Sequence, residues 1–359
     1  MSLSIVRRIA GQVTKTVQRP ARLFYVPFNY LRSRLGLVLV RYPQLVPLVL
    51  SALPERWLAT PSGKAFCNGM ASDLFQNDRP VHAWEFMERS IRVGNVTTDE
   101  YLMGAMCLYH GLGRFRDAMS LFARANELAM AEAENRGVAK SAYRVLDNVW
   151  GRHIGHTATI DYVIKLGILE GRDRDDTIFY LPHGSKIANR FLLSQVAPHL
   201  RLIDNPAELP FDPAAVQALH FDYLGPRLPD GTAFYFSQLA NKTYERWRAE
   251  GRGPIFKLPP ETFERGWAAL RTAGVPQGSW FVALHVREGK WNGTDGGLHG
   301  ILNCDISTYL PAIAEITRRG GWVIRMGDPG MKPLPPLANV IDYCHSNFRA
   351  DWMDVFIAA

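Results

Sequence analysis

The chain has 359 residues, 47% of them hydrophobic and 21% charged, the balance of an ordinary globular protein of two or three domains. Its four cysteines, Cys67, Cys107, Cys304 and Cys344, are far apart and form no CxxC or Cys/His cluster; this excludes a structural zinc of the usual spacing and a disulfide framework, and fits a reducing compartment. The net charge of +7 is concentrated in residues 1–56, which carry +8 and leave the remainder near neutral, so a local partner rather than nucleic acid is expected.

Within that basic head Ile5, Ile9, Val13 and Val17 recur every four residues, with Arg7, Arg8, Gln12 and Lys15 between them. The pattern suits a helix lying on an anionic membrane surface; a helix packed on the body and an Arg-rich targeting leader are the alternatives. The apolar run 36–53 contains Arg41, Pro43 and Pro47. Burying the arginine in a bilayer would cost about 2.5 kcal/mol or more, so the run is expected to be interfacial or packed rather than spanning. No compact apolar core is followed by a small-residue cleavage site, which argues against a signal peptide.

Residues 61–140 read as helices. Arg79–Ser90 aligns with Arg114–Ala125 at an offset of 35 residues, matching Ala83 with Ala118 and Met87 with Phe122. That period is close to the tetratricopeptide one; a generic helical hairpin is the plainer alternative.

From residue 141 the rhythm becomes strand, glycine turn, helix. Strands are expected at 143–149, 176–182 and 201–204, with helices at 157–169 and 189–200 between them; residues 205–260 are irregular. After a helix over 259–274 the series resumes with strands at 280–287, 322–328 and 339–343. A helix capped by Asp305 fills 306–319, and another begins near residue 349. Alternation of this kind implies parallel sheets covered on both faces. The chain stops one helix after its last strand, so the second such domain is expected to be incomplete. The expected division is a basic segment 1–60, helices 61–140, a first Rossmann-like domain 141–258 and a second at 259–359.

Ligands of open α/β sheets bind beyond the carboxyl ends of the strands. His285, Arg287 and Asp328 fall there. A strand running through Arg287 would put His285 and Arg287 on one face, and the guanidinium offers a fork of donors that matches two phosphate oxygens. Glycines 289, 293, 296, 297 and 300 would let backbone amides approach an anion. The competing explanation pairs Arg287 with Glu288 or Asp305 and leaves His285 structural. A second candidate is the loop 151–156, where Gly151 and Gly155 permit a turn before a helix N-terminus and His153 or His156 offers a base; an ordinary turn with surface histidines is the alternative.

Three other matches fail. The acids of 173–175 precede their strand, Ser62–Lys64 lacks the glycine spacing of a phosphate loop, and Pro182–Ser185 is no nucleophile elbow.

Taken together, LHVRE at 284–288, the stretch 305–328, PLPP, VIDYCHS and DWMDVF resemble a family of bacterial glycosyltransferases that often carry tetratricopeptide-like helices ahead of the transferase part. That family is similar to fucosyltransferase-type GT-B enzymes with a His-x-Arg motif. The resemblance spans 141–359 and is most specific over 280–356. It implies a GT-B-like pair of Rossmann-like domains, the second incomplete, behind a tetratricopeptide-like segment. It also implies that Arg287 binds the β-phosphate of a nucleotide sugar, with His285 in support, that Asp328 lies near the nucleotide, and that the loop holding Gly155 and His156 faces donor and acceptor. No metal is implied; the arginine would stabilise the departing diphosphate.

The expected activity is therefore metal-independent transfer from a nucleotide sugar, with GDP-linked donors as candidates, to a glycan or lipid-linked acceptor in surface polysaccharide synthesis. Arg287 and His156 are the candidate catalytic residues, and His285, Arg287, Asp328 and Gly155 the candidate donor-binding ones. The expected location is cytoplasmic, peripheral on the inner face of the membrane. The rival expectation is a non-catalytic scaffold with a degenerate transferase remnant.

Overall fold

The computed structural model describes residues 25–138, 143–221, 225, 226, 228, 232, 234–288 and 303–359. The Ile5–Val17 stripe and the glycine loop 289–300 lie outside them. The chain forms two compact units, one made of residues 1–140 and 224–235, the other of 141–223 and 236–359. It is mixed α/β, with helices predominating over two small parallel sheets.

The first unit is helical: α1 (Tyr25–Arg41), α2 (Val46–Ala52), α3 (Pro61–Gln76), α4 (Pro80–Arg92), α5 (Thr98–Met106) and α6 (Phe115–Asn135). Leu35, Leu39, Val46, Val49 and Leu53 are buried, so the apolar run 36–53 is packed within the unit. The chain breaks between α1 and α2 because Pro43 drives Tyr42 out of the helical region, to φ −132° and ψ 66°. The two helical segments flanking the break are bent by 118°, and no single helix among the described residues is long and apolar enough to cross a membrane.

Local signals start the other helices. Thr60 caps α3 by accepting from the Gly63 amide, with Pro61 at the first helical position. Thr97 and Glu100 form a reciprocal capping box on α5. The 35-residue repeat has a structural counterpart: Arg79 and Arg114 each precede a helix, Ala83 and Ala118 are both fully buried, and so are Met87 and Phe122 to within 1%. Gly111, in the wider turn that ends the α5 segment, is needed for close approach; a Cβ there would come within 2.0 Å of Pro80.

One stretch expected in the first Rossmann-like domain, 224–235, belongs instead to the helical unit. Gly225 sits against the Phe122 ring and its carbonyl accepts from Asn126 Nδ2 at 3.2 Å, while Tyr235 stacks on Tyr109 at 4.0 Å. Nothing in the local pattern of a Pro/Gly-rich stretch records such a distant partner.

The second unit holds both strand–helix series. β1 (Arg144–Leu146), β2 (Thr177–Tyr180) and β3 (Arg201–Ile203) form one parallel sheet in the order β1-β2-β3, extended past β1 by a parallel bridge between Val145 and His220. Between them run α7 (Ile154–Leu169) and α8 (Arg190–Val196), and α9 (Phe236–Ala249) packs beside α7. After α10 (Pro260–Thr272), the strands β4 (Phe281–His285), β5 (Trp322–Met326) and β6 (Val340–Ile341) form a second parallel sheet, with α11 (Leu310–Arg318) between β4 and β5 and α12 (Asp351–Ala358) at the end. Parallel neighbours require a crossover connection, which is helical here except between β5 and β6, where residues 327–339 form no helix.

The two series meet where Asn189 caps α8: its Oδ1 accepts from Leu192, its Nδ2 donates to the Asp351 carbonyl at 2.9 Å, and the Arg190 amide donates to the Asp351 carboxylate at 2.6 Å.

The structure differs from expectation at the end of β4. The strand stops at His285, and the next three residues are non-strand. Val286 and Glu288 are buried, Arg287 is half-buried and His285 exposed, so burial goes on alternating past the end of the strand, with His285 and Arg287 the two more exposed positions. Arg325 on β5, fully buried, pairs with Glu288 at 2.7 Å and Asp342 at 3.1 Å and donates to the Lys332 carbonyl at 2.7 Å. Glu288 is completed by the Ile306 and Lys332 amides, at 3.2 and 3.0 Å. Glu288, one of the two acids offered as an ion-pair partner of Arg287, is thus paired with Arg325.

Candidate functional site

The carboxyl ends of the strands are followed by the turns that surround a cleft of about 260 Å³ in the second unit. From the first series it is lined by Arg152, His153 and Ile154 at the start of α7 and by Lys186 and Ala188 in the loop after β2. From the second it is lined by His285 at the end of β4, by Met326, Gly327, Asp328 and Met331 after β5, and by Arg349 and Asp354 at α12. Three permanent cations and two histidines thus surround two carboxylates.

Local structure explains the placement. Asp147 follows β1 and accepts from the Val149 amide, starting a 3-10 turn that carries the chain to His153, the residue preceding α7. The helix begins at Ile154, three residues before its expected start, so its N-terminal amides, which favour anions, open beside Arg152. In the loop after β2, Gly184 takes a φ of +83°, and Lys186 follows it into the cleft. After β5, Gly327 at φ +152° is tight against Met331, whose sulfur a Cβ would meet at 2.5 Å. The Asp328 carboxylate accepts from the Gly330 amide at 2.9 Å, closing that turn.

His285 and Asp328 are therefore brought into one cleft from adjacent strand ends. Arg287 and His156 are not among its lining residues. Arg287 lies near enough to act electrostatically on His285, and its carbonyl accepts from Cys304. His156 sits inside the first turn of α7 with Nδ1 3.0 Å from the Val149 carbonyl, and Gly155 beside it has open space where a Cβ would project. Sequence reasoning omitted Arg152, Lys186, Arg349 and Asp354. Arg152 stood in the loop already singled out, Lys186 directly after the rejected Pro182–Ser185 stretch, and Arg349 and Asp354 around the DWMDVF segment. The missing signal was their convergence from three separate segments.

The electrostatics are uneven. Burial, aided by Arg287 and Arg325, pushes His285 below its ordinary value, towards the neutral imidazole. Burial holds the Asp354 carboxyl above its ordinary value, with nearby Asp351 adding to the effect and Tyr343 and Arg349 opposing it. The cleft therefore offers a cationic rim, a neutral imidazole and a carboxyl that keeps its proton to higher pH than usual.

One other cluster among the described residues has the donor types of a metal site: Asp342, Cys344 and His345. Its charges oppose a cation. The Asp342 carboxylate already takes Arg325 at 3.1 Å, the Leu334 amide at 2.9 Å and His345 Nδ1 at 2.8 Å. Burial and Asp342 push the Cys344 thiol up to about 12, away from the thiolate that a metal needs. The acids at 173–175 form a turn before β2 in which Asp175 pairs with Arg174 at 2.9 Å, and they do not line the cleft. Lys64, in the stretch tested as a phosphate loop, is buried against Glu100 at 3.4 Å and donates to the Ser90 carbonyl at 2.6 Å. No family model matches the chain, and neither the curated proteins nor the solved structures contain a match to it.

Proposed function

We propose that the second unit binds the diphosphate of a nucleotide-sugar donor, GDP- or UDP-linked, and transfers the sugar to a glycan or lipid-linked acceptor during surface polysaccharide assembly. One observation carries the proposal: Arg152, Lys186 and Arg349 converge with His285 and the N-terminus of α7 on a cleft beyond the carboxyl ends of parallel strands. Such a setting favours an anion with several oxygens, and fixed cations there stabilise negative charge as it develops on a departing diphosphate without a metal. Two three-stranded parallel sheets with crossover helices support a GT-B-like pair of Rossmann-like halves as the framework. Arg287 keeps a supporting place in the proposal through its field at His285. The basic residues of 1–56 would hold the protein on anionic lipid at the cytoplasmic face.

Calorimetric titration of the whole chain with GDP, UDP, guanosine and uridine, with and without EDTA, tests the proposal. Diphosphates should bind at least tenfold more tightly than nucleosides, and the difference should survive EDTA. Equal binding of nucleotide and nucleoside would remove the phosphate site.

A scaffold role is the second reading. It is favoured by a groove of about 590 Å³ in the first unit, lined by Arg32, Asn68, Asp73, Asp99 and Met103 over the buried Lys64–Glu100 pair. It predicts no diphosphate affinity in the same titration.

A further inference from the structure

We infer that Asp354 is the catalytic base of this transfer, taking the proton from the acceptor hydroxyl; the inference rests on the transferase proposal above. Displacement at the anomeric carbon needs a group to receive that proton. The attacking oxygen forms the new bond to carbon, the bond from carbon to the diphosphate oxygen breaks with its electron pair going to the diphosphate, and the proton moves to the base. His156 was the sequence candidate, but it does not line the cleft, and its Nδ1 faces the Val149 carbonyl.

Asp354 projects from the first turn of α12 into the cleft, opposite the residues that begin α7. It is half-buried and held by neutral groups: Tyr343 donates its hydroxyl to Oδ1 at 2.8 Å, and Asn189 contributes its side-chain amide. Those two groups are themselves pinned. Tyr343 is buried and accepts from the Ala350 amide at 3.1 Å, and Asn189 is fully buried at the cap of α8. A carboxylate fixed in this way has a set direction, which proton transfer requires.

The charged and titratable groups around it are Arg349, Asp351 and Tyr343 on its own side of the cleft, with Arg152, His153, Lys186, His285 and Asp328 on the remaining walls. Asp328, the other acid of the cleft, is engaged by the Gly330 amide in a turn, whereas the Asp354 carboxyl is displaced upward by burial, as suits a group that exchanges protons.

The test compares the whole chain with Asp354→Asn, which keeps the shape and a hydrogen-bonding partner for Tyr343, and with Tyr343→Phe. Calorimetry measures GDP and UDP binding, and release of nucleoside diphosphate from GDP- and UDP-sugars, with water or an added oligosaccharide as acceptor, measures turnover. Asp354→Asn should bind the diphosphates as well as the parent or up to a fewfold better, and should release them at least a hundredfold more slowly. In the parent, turnover should rise with pH through an ionisation above the ordinary carboxyl range of about 4 and then level off. That limb should be absent from the residual activity of Asp354→Asn and shifted in Tyr343→Phe.

If Asp354→Asn keeps its turnover and the same pH limb, or loses diphosphate affinity along with turnover, Asp354 is structural and the transferase proposal stands without it. If the parent binds neither diphosphate, both inferences fall.

Discussion

The second unit contains two gatherings of charge that differ in their completeness. Around Arg325 the protein supplies most of the counterparts: Glu288, Asp342 and the Lys332 carbonyl take up the two terminal nitrogens of a guanidinium with no exposure to solvent, and only its Nε is left without an acceptor. In the cleft, Arg152, Lys186, Arg349 and two histidines stand against Asp328 and Asp354, one of which burial favours in its neutral form. An internally paired network holds a fold together; a cationic excess at strand ends is suited to an incoming anion. The comparison also shows why Arg287 and Arg325 cannot be told apart in the sequence, since one arginine near a strand end looks like another until its partners are known.

The sharpest way to break the comparison is to remove the buried arginine. Arg325→Met leaves the buried Glu288 and the partly buried Asp342 without their guanidinium counter-charge and should cost about 3–5 kcal/mol of stability, read as a lowered midpoint in urea denaturation. Folded Arg325→Met with parental stability would show that the network is not structural.

Next come the cleft cations. Arg349→Ala and Arg152→Ala should each weaken GDP or UDP binding ten- to a hundredfold, about 1.5–3 kcal/mol, with guanosine and uridine unaffected and the denaturation midpoint little changed. Arg287→Ala should weaken diphosphate binding less than Arg349→Ala, because it reaches the cleft only through its field. The reverse order would restore Arg287 as the principal phosphate ligand. Arg287→Lys, which retains the charge, should then recover nearly all of the small loss; recovery of only a part would indicate forked contact.

The smallest expected effect concerns His285. Its folded-state value lies below the ordinary one, so between the two the unfolded chain binds more protons than the folded one. This contribution makes stability rise with pH across that window up to about 6.5, and acidification through it is destabilising. His285→Gln should flatten the slope in thermal melts between pH 5 and 7. A bound diphosphate would favour the imidazolium, so binding near pH 6 should take up protons, measured as buffer-dependent enthalpy in the parent and absent in His285→Gln.

Part of the site was legible because some of its rules are topological. The fold of the second unit follows from alternating apolar strands and helices, and His285 and Asp328 follow from the rule that the carboxyl ends of parallel strands carry ligands. Residues 205–260, expected to be irregular, were opaque: Phe236–Ala249 forms α9, while of the short turns before it one piece pairs with β1 through His220 and another belongs to the helical unit and packs on its α6.

What the sequence by itself determined is local: the capping of α3 and α5, the break at Pro43, the repeated hairpin positions Ala83/Ala118 and Met87/Phe122, and the order of strands and helices. Periodicity, capping and proline geometry act over a few residues, so they can be read without knowing what lies elsewhere. Only the tertiary structure decided the partner of Glu288, an arginine 37 residues away. It also decided which charges share a cleft, because Arg152, Lys186 and the Arg349–Asp354 segment are far apart in sequence. Coulomb and hydrogen-bond energies depend on distance in space, and only folding sets that distance.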